Sequence, residues 1–579
     1  MIRKERWPLI IAVLAVVCYA NAVANGFVSD DAGIIRDNPL VHSVSGLWRA
    51  WIHSYWPEVD KAGQYRPLVI ASYTFDQAVL HAGAWWVHLV NVLWHAAFCV
   101  LLYRFLSVLL APTGALFGSA WFAVHPVHVE AISMGVGRAE VMAAVFVLLA
   151  WMAHRERRPL ATLWFALALA SKESGIVFLG LAVLNDVLLE PKPRRALEER
   201  RALYLTYGLV SAVYALVLQT LFAHQPFVIH APIWDYATTG QRWLTMLRVV
   251  PEYLRLLLAP VDLRVDYSPK TIDLVTTVTP AVVFGVGLLV LVMVAVVVSW
   301  RRAPAVAFGL LWFLIAIAPV SNVLFASGIV IAERTLYLPS VGAAVVAGWI
   351  FERAIVVRPR AVVALSGALC AAFVVRSWTR TPFFHDKRRY LISWVEEQPE
   401  SYRAHYAVAL LYTLEKDWPH ADRECWIARH FRPEDIGPYT TGAEIALNRG
   451  DTTRALVLLD SARRQSPHDY ATLYDLALIR RQQGRYPAAM ALALAAYEVS
   501  PDSVAAIDVL TGAAQRVSDF ADADLAFRRA LADHPGNVHL RRSYAGMLTD
   551  RGDTAAARQQ LQLTGVTAVT SLFTSQKAR

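Results

Sequence analysis

The chain has 579 residues, of which 56% are hydrophobic and only 17% are charged, and its formal net charge is +9. A soluble protein of this size needs more charge to cover its surface, so a fully soluble chain is excluded. The excess of Arg and Lys lies mostly in short loops between apolar runs, which indicates membrane orientation and argues against nucleic-acid binding. The composition therefore predicts a multi-pass membrane protein.

Apolar runs alternate with short polar loops through the first 380 residues. Since a bilayer core requires about 20 apolar residues per helix, we predict about eleven spans. They cover approximately 8–24, 86–109, 113–127, 139–154, 159–171, 174–189, 202–222, 275–299, 303–323, 335–353 and 361–377. The first is an uncleaved anchor, because no clean cleavage site follows it.

Basic clusters indicate which loops face the cytoplasm. These clusters lie at residues 154–158, 191–201, 300–302 and 352–360, and the N-terminus is also basic. Because both flanks of 159–190 are basic, this segment must cross an even number of times, as two short helices or a re-entrant hairpin with Lys172 and Glu173 at its tip. Residues 243–260 combine charges with a proline and predict an interfacial amphipathic helix. The first external loop, 25–85, then lies outside.

The last third of the chain has a different periodicity. Prolines recur every 34 residues, at Pro399, Pro433, Pro467, Pro501 and Pro535, and the turn positions 450, 484, 518 and 552 are Gly, Gly, Ser and Gly. This period predicts tetratricopeptide repeats over 399–570, after a membrane domain over 1–380 and a linker over 381–398; the alternative is an unrelated helical bundle. Such repeats form a concave surface that suits an extended peptide.

Two adjacent carboxylates, Asp30 and Asp31, follow the first span. Neighbouring side chains cannot point the same way on a regular helix or strand. One of them could therefore face a substrate while the other caps the following helix or holds a metal ion.

Further polar residues lie at predicted outer ends of spans. His125, His128, Glu130 and Arg138 belong to one outer hairpin, and His-x-x-His with a carboxylate can ligate a divalent ion such as Mg²⁺ or Mn²⁺. A metal site could then include Asp30, Asp31, His125 and His128, although the two histidines could instead be interfacial ring residues. A charge such as Arg138 near a membrane helix needs a partner or an anionic ligand.

The segments "SKESG" and "AERTLYLPS" add Lys172, Glu173, Glu333, Arg334 and Tyr337. Arg and Lys are suited to phosphate recognition, and the alternative is that these charges form salt bridges between spans. Gathered on one side of the membrane, they suit attack on a lipid-linked phosphate ester. A carboxylate would take the proton from an acceptor hydroxyl while the cations hold the leaving phosphate.

These stretches resemble the transmembrane and tetratricopeptide-repeat-containing proteins, a family of GT-C-fold protein O-mannosyltransferases. The matching stretches include "NGFVSDDAGIIRDNPLV", "YRPLVIASYTFDQAV", "FAVHPVHVEAISMGVGRAE", "SKESGIVFLG" and "ERTLYLPSVG". The resemblance implies an inverting, GT-C-like helical membrane domain that takes mannose from a polyprenyl- or dolichyl-phosphate donor to hydroxyl groups of a protein acceptor bound by the repeats.

It also implies that the acidic motif supplies the catalytic base, Asp30 or Asp31. From their chemistry, we assign Arg138, Lys172 and Arg334 to the donor phosphate, and His125, His128, Glu130, Glu173, Glu333 and Tyr337 to shaping of the site and the acceptor. The composition favours a bacterial inner-membrane protein with periplasmic repeats; in a eukaryote the repeats would be lumenal in the endoplasmic reticulum. Two alternatives are transfer to a glycan or lipid, and a non-catalytic membrane-anchored scaffold.

Overall fold

We describe the protein from a computed structural model that covers residues 6–57, 64–222, 233–234, 237–267, 272–517 and 520–564. No strand occurs in these ranges, so the predicted all-α class is confirmed. The chain divides into two compact units, Met1–Gln398 and Pro399–Arg579.

The described part of the first unit contains seventeen α-helices, joined by short 3-10 and π-helical segments. They are α1 Trp7–Cys18, α2 Gly46–Arg49, α3 Pro67–Thr74, α4 Ala84–Leu109, α5 Pro112–Ala123, α6 Val129–Ser133, α7 Arg138–Arg155, α8 Leu160–Ser171, α9 Phe178–Leu184, α10 Pro193–Glu199, α11 Arg201–Phe222, α12 Thr239–Leu258, α13 Pro280–Arg302, α14 Pro304–Ile317, α15 Ser340–Val357, α16 Pro359–Arg380 and α17 Lys387–Glu397.

Helical structure covers each predicted span, and six helices in the described ranges are long and apolar enough to cross a membrane. These six are Ala84–Leu109, Gly135–Arg155, Arg201–Phe222, Pro280–Arg302, Ser340–Val357 and Pro359–Phe384. Three further predicted spans correspond to shorter apolar helices, at Trp7–Cys18, Leu160–Ser171 and Pro304–Val320. The chain is thus a membrane protein, and α12, predicted to be interfacial, is not among its membrane-crossing candidates.

The predicted hairpin around Lys172 has a clear local cause. Helix α8 ends where Lys172 adopts an extended conformation, and a 3-10 turn at Glu173–Val177 leads into α9. Helix α9 continues into a π-helical turn at Asn185–Leu189, so two short helical segments fill the residues between the two basic flanks. This agrees with the even number of crossings that the charge pattern requires.

Long-range contacts place the predicted site residues at one end of the membrane helices. Lys172, after α8, pairs with Glu140 near the start of α7, and His88 near the start of α4 contacts the carbonyl of Gly26. Helices α7 and α8 are joined at their other ends, by the basic residues 155–158. The polar site and the basic loops therefore lie at opposite ends of the helix bundle.

Residues 381–398, predicted to be a linker, contain regular structure. A 3-10 turn spans Thr381–Phe384. Helix α17 follows, and the side chain of Asp386 caps its N-terminus. Tyr390 and Leu391 of α17 are buried within the first unit. This segment therefore forms part of the membrane domain.

The second unit consists of paired helices, as the repeat period predicts. They are α18 Tyr402–Leu414, α19 Trp418–Phe431, α20 Gly437–Asn448, α21 Thr452–Gln465, α22 Tyr470–Gln482, α23 Tyr486–Val499, α24 Val504–Ala514, α25 Phe520–Asp533, α26 Val538–Asp550 and α27 Thr554–Gln562. The periodic alanines Ala421, Ala455, Ala489, Ala523 and Ala557 are fully buried. Gly450, Gly484 and Gly552 have positive φ angles at their turns, whereas Ser518 lies outside the described residues.

Candidate active site

The two adjacent aspartates have different surroundings. Asp31 is fully buried, and its carboxylate accepts hydrogen bonds from the backbone amides of Val136 (2.8 Å), Gly135 (3.1 Å) and Val28 (3.3 Å). Burial raises the pKa of Asp31 to about 7, although the three amides act in the opposite direction. Asp31 therefore joins the acidic loop to the turn before α7 and cannot reach a substrate from this position.

Asp30 is partly exposed, and in the described part of the chain its carboxylate accepts no hydrogen bond and forms no close ion pair. The residue before it, Ser29, has a φ of 48°, in the left-handed region that non-glycine residues seldom adopt. Such strained backbone is common where a side chain must be presented in one direction. Asp30 is thus the carboxylate of this pair that is available for chemistry.

Arg334 is held by Glu130 and is close enough to Asp30 for their charges to interact. Its backbone amide and its Nη1 each donate a 2.8 Å hydrogen bond to the Glu130 carboxylate, and 26% of its side chain remains exposed. Burial works against its charge, but Glu130, Asp30 and Glu140 together raise the pKa of Arg334 above the ordinary arginine value. Glu130 and Arg334, which the sequence predicts as separate members of the site, are therefore brought together as an ion pair.

Two more cations line the same region. Lys172 forms an ion pair with Glu140, and the Arg66 guanidinium binds both oxygens of Glu173, at 3.0 and 2.6 Å. Burial lowers the pKa of Lys172, and the positive charge of Arg66 adds to this effect while Glu140 and Glu173 oppose it. Lys172 and Arg66 are consequently near neighbours, with side-chain exposures of 10% and 11%.

The site therefore combines one open carboxylate with three partly accessible cations, Arg66, Lys172 and Arg334. The paired carboxylates hold these cations without covering them completely. Fixed cations at the edge of a low-dielectric region stabilise negative charge more strongly than cations in water. Chemically, this arrangement can deprotonate a hydroxyl and stabilise an anionic leaving group.

Arg138, predicted to bind phosphate, is instead part of the scaffold. It is fully buried, and its N–H groups donate to Asp76 (2.5 Å), Asn91 (2.9 Å), the carbonyl of Val87 (3.0 Å) and Ser72 (3.2 Å). A buried arginine needs such partners, because an uncompensated charge there costs several kcal/mol, about 3–5 when one member of a pair is lost. Four of its donors are used, which leaves Arg138 poorly placed for a phosphate.

The predicted metal ligands do not form a ligand set. Both ring nitrogens of His125 are used, one by the carbonyl of Leu257 (3.0 Å) and the other by the amide of Val127 (3.2 Å). His128 lies between the carbonyl of Phe122 (3.0 Å) and the hydroxyl of Ser340 (2.9 Å). Metal-ligating histidines need one free lone pair. Within the described ranges, no three His, Cys, Asp or Glu side chains are arranged to hold a metal ion.

Glu333 and Tyr337 are buried, and their side chains bond to other parts of the membrane unit. Glu333 accepts hydrogen bonds from the amide of Arg264 (2.5 Å) and the hydroxyl of Tyr267 (2.8 Å), and burial raises its pKa to about 7. The Tyr337 hydroxyl contacts the ring of His95 at 2.8 Å. Both residues fix the backbone on either side of Arg334, so their part in the site is indirect.

Sequence reasoning missed four residues around the site: Arg66, Asp76, Glu140 and Tyr390. Arg66 and Asp76 both lie in the stretch "YRPLVIASYTFDQAV", and Glu140 ends "FAVHPVHVEAISMGVGRAE". These three residues could therefore have been found from the sequence, because they lie within the stretches that match the family. Tyr390 lies in the segment predicted as a linker, where no signal marked it.

Comparison with known proteins gives matches to both units. A tetratricopeptide-repeat family model matches residues 440–504 and 513–567. Human protein O-mannosyl-transferase TMTC3 is 24% identical over 500 residues, covering 78% of this chain and 54% of the relative. Human protein O-mannosyl-transferase TMTC4 is 28% identical over 399 residues, covering 58% of this chain and 54% of the relative. The resemblance to the TMTC proteins is confirmed.

The chain spans about half the length of these TMTC relatives. Among solved structures, yeast Tom70 is 12% identical and covers 78% of this chain and 87% of its own, with a TM-score of 0.25. The match to the TMTC proteins extends beyond the repeats into the membrane unit, since an alignment over 78% of the chain cannot fit within the second unit.

Proposed function

We propose that this protein is a membrane glycosyltransferase that moves mannose from a polyprenyl- or dolichyl-phosphate donor to hydroxyl groups of a protein acceptor. The observation that supports this most strongly is the split of the acidic pair. Asp31 is buried and accepts hydrogen bonds from three backbone amides, whereas Asp30 is partly exposed and close enough to Arg334 for their charges to interact. The TMTC relatives are named protein O-mannosyl-transferases, and this name suggests the sugar and the acceptor class.

The proposed reaction is a single displacement with inversion at the anomeric carbon. Asp30 accepts the proton of a Ser or Thr hydroxyl, and the hydroxyl oxygen forms a bond to the anomeric carbon. The bond from that carbon to the phosphate oxygen breaks at the same time, and the lipid phosphate leaves with the electron pair. A positioned general base of this kind contributes roughly 10²–10⁴-fold to the rate.

The three cations are proposed to hold the donor phosphate. Arg66 and Arg334 can each present a planar guanidinium edge to phosphate oxygens, and Lys172 adds a point charge. Arg66 here takes the place that Arg138 had in the sequence prediction. No step is assigned to a metal ion, because the histidine nitrogens that it would require are engaged within the protein.

The orientation follows from the charge pattern. Basic loops lie at the end of the bundle opposite the site, and such loops face the cytoplasm in most membrane proteins. We therefore propose that the site and the repeats lie on the non-cytoplasmic side, in the periplasm for a bacterial protein. The repeats would hold the polypeptide acceptor there.

A transfer assay in membranes tests this function. We would supply radiolabelled polyprenyl-phosphate mannose, and as a parallel donor polyprenyl-phosphate glucose, and then separate protein, lipid and glycan fractions. We expect label from mannose in the protein fraction and inhibition by unlabelled polyprenyl phosphate, which is the product. Label in the lipid or glycan fraction would mean that the acceptor is a lipid or a glycan and not a protein. No transfer from any lipid-linked sugar would support the scaffold alternative.

A further inference from the structure

A cavity outside the candidate active site lies between the first external loop and the end of a membrane helix. Its volume is about 390 Å³, which is within the range of pockets that hold small ligands. It is lined by parts of the loop between residues 38 and 57, and by Leu221 and Phe222, the last two residues of α11. Neither the open carboxylate nor any of the three cations of the candidate site lines it. The cavity is therefore a separate place at which a ligand can bind.

One polar side chain in the lining is buried without a full set of hydrogen bonds. Asn38 is fully buried, and its Oδ1 accepts a 3.0 Å hydrogen bond from the amide of Leu40. Its Nδ2 has no hydrogen-bond partner within the described part of the chain. A buried donor without a partner is destabilising. An acceptor bound in the cavity would supply the partner that this amide group lacks.

The cavity also contains a cation that no carboxylate neutralises. Arg49 is exposed, and in the described ranges its guanidinium forms no ion pair. The Nδ1–H of His53, a second lining residue, donates a 2.8 Å hydrogen bond to the carbonyl of Arg49, which fixes the imidazole ring beside it. None of the described residues that line the cavity is acidic. An arginine and an amide donor without a carboxylate suit the oxygens of a phosphate group.

The apolar part of the lining is in contact with the membrane. Only 6% of the most apolar stretch of α11 is buried inside the protein, so lipid surrounds this helix up to Leu221 and Phe222. From the loop, Ile52 lines the cavity and is exposed, and the neighbouring Trp48 and Trp51 are exposed as well. Exposed tryptophans beside a basic residue are typical of segments that lie at the membrane interface. A ligand can therefore enter this cavity from the bilayer.

We propose that the cavity binds one anionic phospholipid of the bilayer, with its phosphodiester at Arg49 and Asn38 and an acyl chain along Leu221 and Phe222. The charges select the class of lipid. An anionic headgroup pairs with Arg49, whereas the described lining offers no carboxylate to the ammonium group of a zwitterionic lipid. The bound lipid joins the external loop, which also carries Asp30, to a membrane helix. This proposal does not depend on sugar transfer.

Photocrosslinking of the full-length protein in detergent tests the location and the class of lipid. The probe is phosphatidylglycerol with a photoreactive group on one acyl chain, and crosslinked peptides are identified by mass spectrometry. We expect crosslinks in peptides that cover residues 37–57 or the end of α11. Unlabelled phosphatidylglycerol should compete at concentrations at least about tenfold lower than phosphatidylcholine, because only its headgroup carries a net negative charge. Crosslinks confined to other segments, or equal competition by the two lipids, would overturn the proposal.

Two further competitors identify the source of the phosphate. Inorganic phosphate should compete poorly, because it has no acyl chain to contact the apolar lining. Polyprenyl phosphate should compete less well than phosphatidylglycerol, since the proposed site is distinct from the donor site. Competition by inorganic phosphate equal to that of the lipid would mean a site for free phosphate, and stronger competition by polyprenyl phosphate would mean a site for the donor. Either result contradicts a phospholipid site.

Variants of the two polar residues test the proposed contacts. Arg49→Gln should weaken phosphatidylglycerol binding at least about tenfold, because a charge-assisted hydrogen bond is lost, and Asn38→Asp should weaken it similarly by replacing a donor with an acceptor. Arg36→Gln is the control, since Arg36 belongs to the same loop but pairs with Asp37 and does not line the cavity. Added phosphatidylglycerol should also raise the unfolding midpoint of the wild type and of Arg36→Gln, but not that of Arg49→Gln. Because Arg49 is exposed, Arg49→Gln decides the question even if Asn38→Asp does not fold, and wild-type affinity in Arg49→Gln would refute the proposal.

Discussion

Asp31 accepts three amide hydrogen bonds, whereas Asp30 accepts none within the part of the chain that the structure describes. A carboxylate that accepts three amide hydrogen bonds from two separate segments connects those segments, and Asp31 connects residue 28 with residues 135 and 136. The same bonds keep its neighbour at the surface of the site. Two adjacent residues thus have different roles, a structural one for Asp31 and a chemical one for Asp30.

Arg66 provides a test of the proposed phosphate site. We expect Arg66→Gln to raise the donor KM at least about tenfold, since a charge-assisted hydrogen bond contributes roughly 1.5–3 kcal/mol. Arg36→Gln is the matched control, because Arg36 forms a similar pair with Asp37 in which both side chains are 57% exposed. The measurement is initial transfer rate against donor concentration.

The double variant Arg66→Gln/Glu173→Gln separates loss of the cation from the effect of an unpaired Glu173. It should keep the raised KM, since it restores no positive charge. An unchanged KM in Arg66→Gln, or full recovery in the double variant, would remove Arg66 from the donor site.

The sequence identified most charged positions of the site but not their roles. That Arg334 and Lys172 would lie at the same end of the helix bundle could be predicted from their places at the ends of spans. Arg138 has the same kind of place, yet its partners Asp76 and Asn91 are 62 and 47 residues away and no local pattern reveals them. Which arginine keeps part of its side chain exposed therefore depends on pairings that only the folded chain defines.

At the scale of elements, α15 is packed through glycines on two faces. A Cβ atom on Gly342 would lie 2.1 Å from the carbonyl oxygen of Gly309 in α14, and one on Gly348 would lie 2.6 Å from that of Gly114 in α5. Small residues let membrane helices approach closely, where packing replaces the hydrophobic effect. Helix α15 follows the Glu333–Arg334 segment directly, so this packing also fixes the position of Arg334.

Gly342→Ala should consequently destabilise the membrane unit. The added methyl group meets backbone, which cannot move aside like a flexible side chain, and overpacking typically costs about 1–3 kcal/mol. Gly367→Ala is the control, because nothing lies within 4 Å of a Cβ there. Thermal unfolding in detergent should show a lower midpoint for Gly342→Ala alone; equal midpoints for the two variants would contradict the close crossing.

Helices could be predicted from the sequence where the same pattern of residues recurs along the chain. The 34-residue period predicted the helix pairs of the second unit, because each pair repeats the same buried alanines and turns. Helix α17 lies in the segment 381–398 that the sequence predicts to be a linker, and it is short, with "KRR" in its first turn. Its order comes from the contact of the preceding His385 with Gly26, far away in the sequence, and from the ion pair of Glu397 with Arg380, and neither contact leaves a local pattern.

At the scale of the whole molecule, the membrane unit is polar at both ends but in different ways. One end collects paired carboxylates and cations, and the other carries basic clusters such as residues 191–201. This asymmetry is the sole basis for the proposed orientation, since positive loops remain in the cytoplasm.

Cysteine labelling tests the orientation. Starting from a variant in which the four native cysteines are replaced by Ala or Ser, Asp37→Cys and Lys192→Cys place one thiol at each end, both at exposed positions. In intact cells a membrane-impermeant maleimide should label Asp37→Cys at once, and Lys192→Cys only after permeabilisation. The reverse pattern would place the site in the cytoplasm and exclude an external acceptor.

The measurement that tests the central claim most directly compares Asp30→Asn with Asp31→Asn for transfer of labelled mannose and for thermal unfolding. We predict that Asp30→Asn lowers transfer by about 10²-fold or more, as expected for loss of a base, and leaves the unfolding midpoint unchanged. Asp31→Asn should lower the unfolding midpoint, because an amide cannot replace a carboxylate that accepts three N–H groups. Wild-type transfer by Asp30→Asn, with loss of transfer in a fully stable Asp31→Asn, would contradict the account.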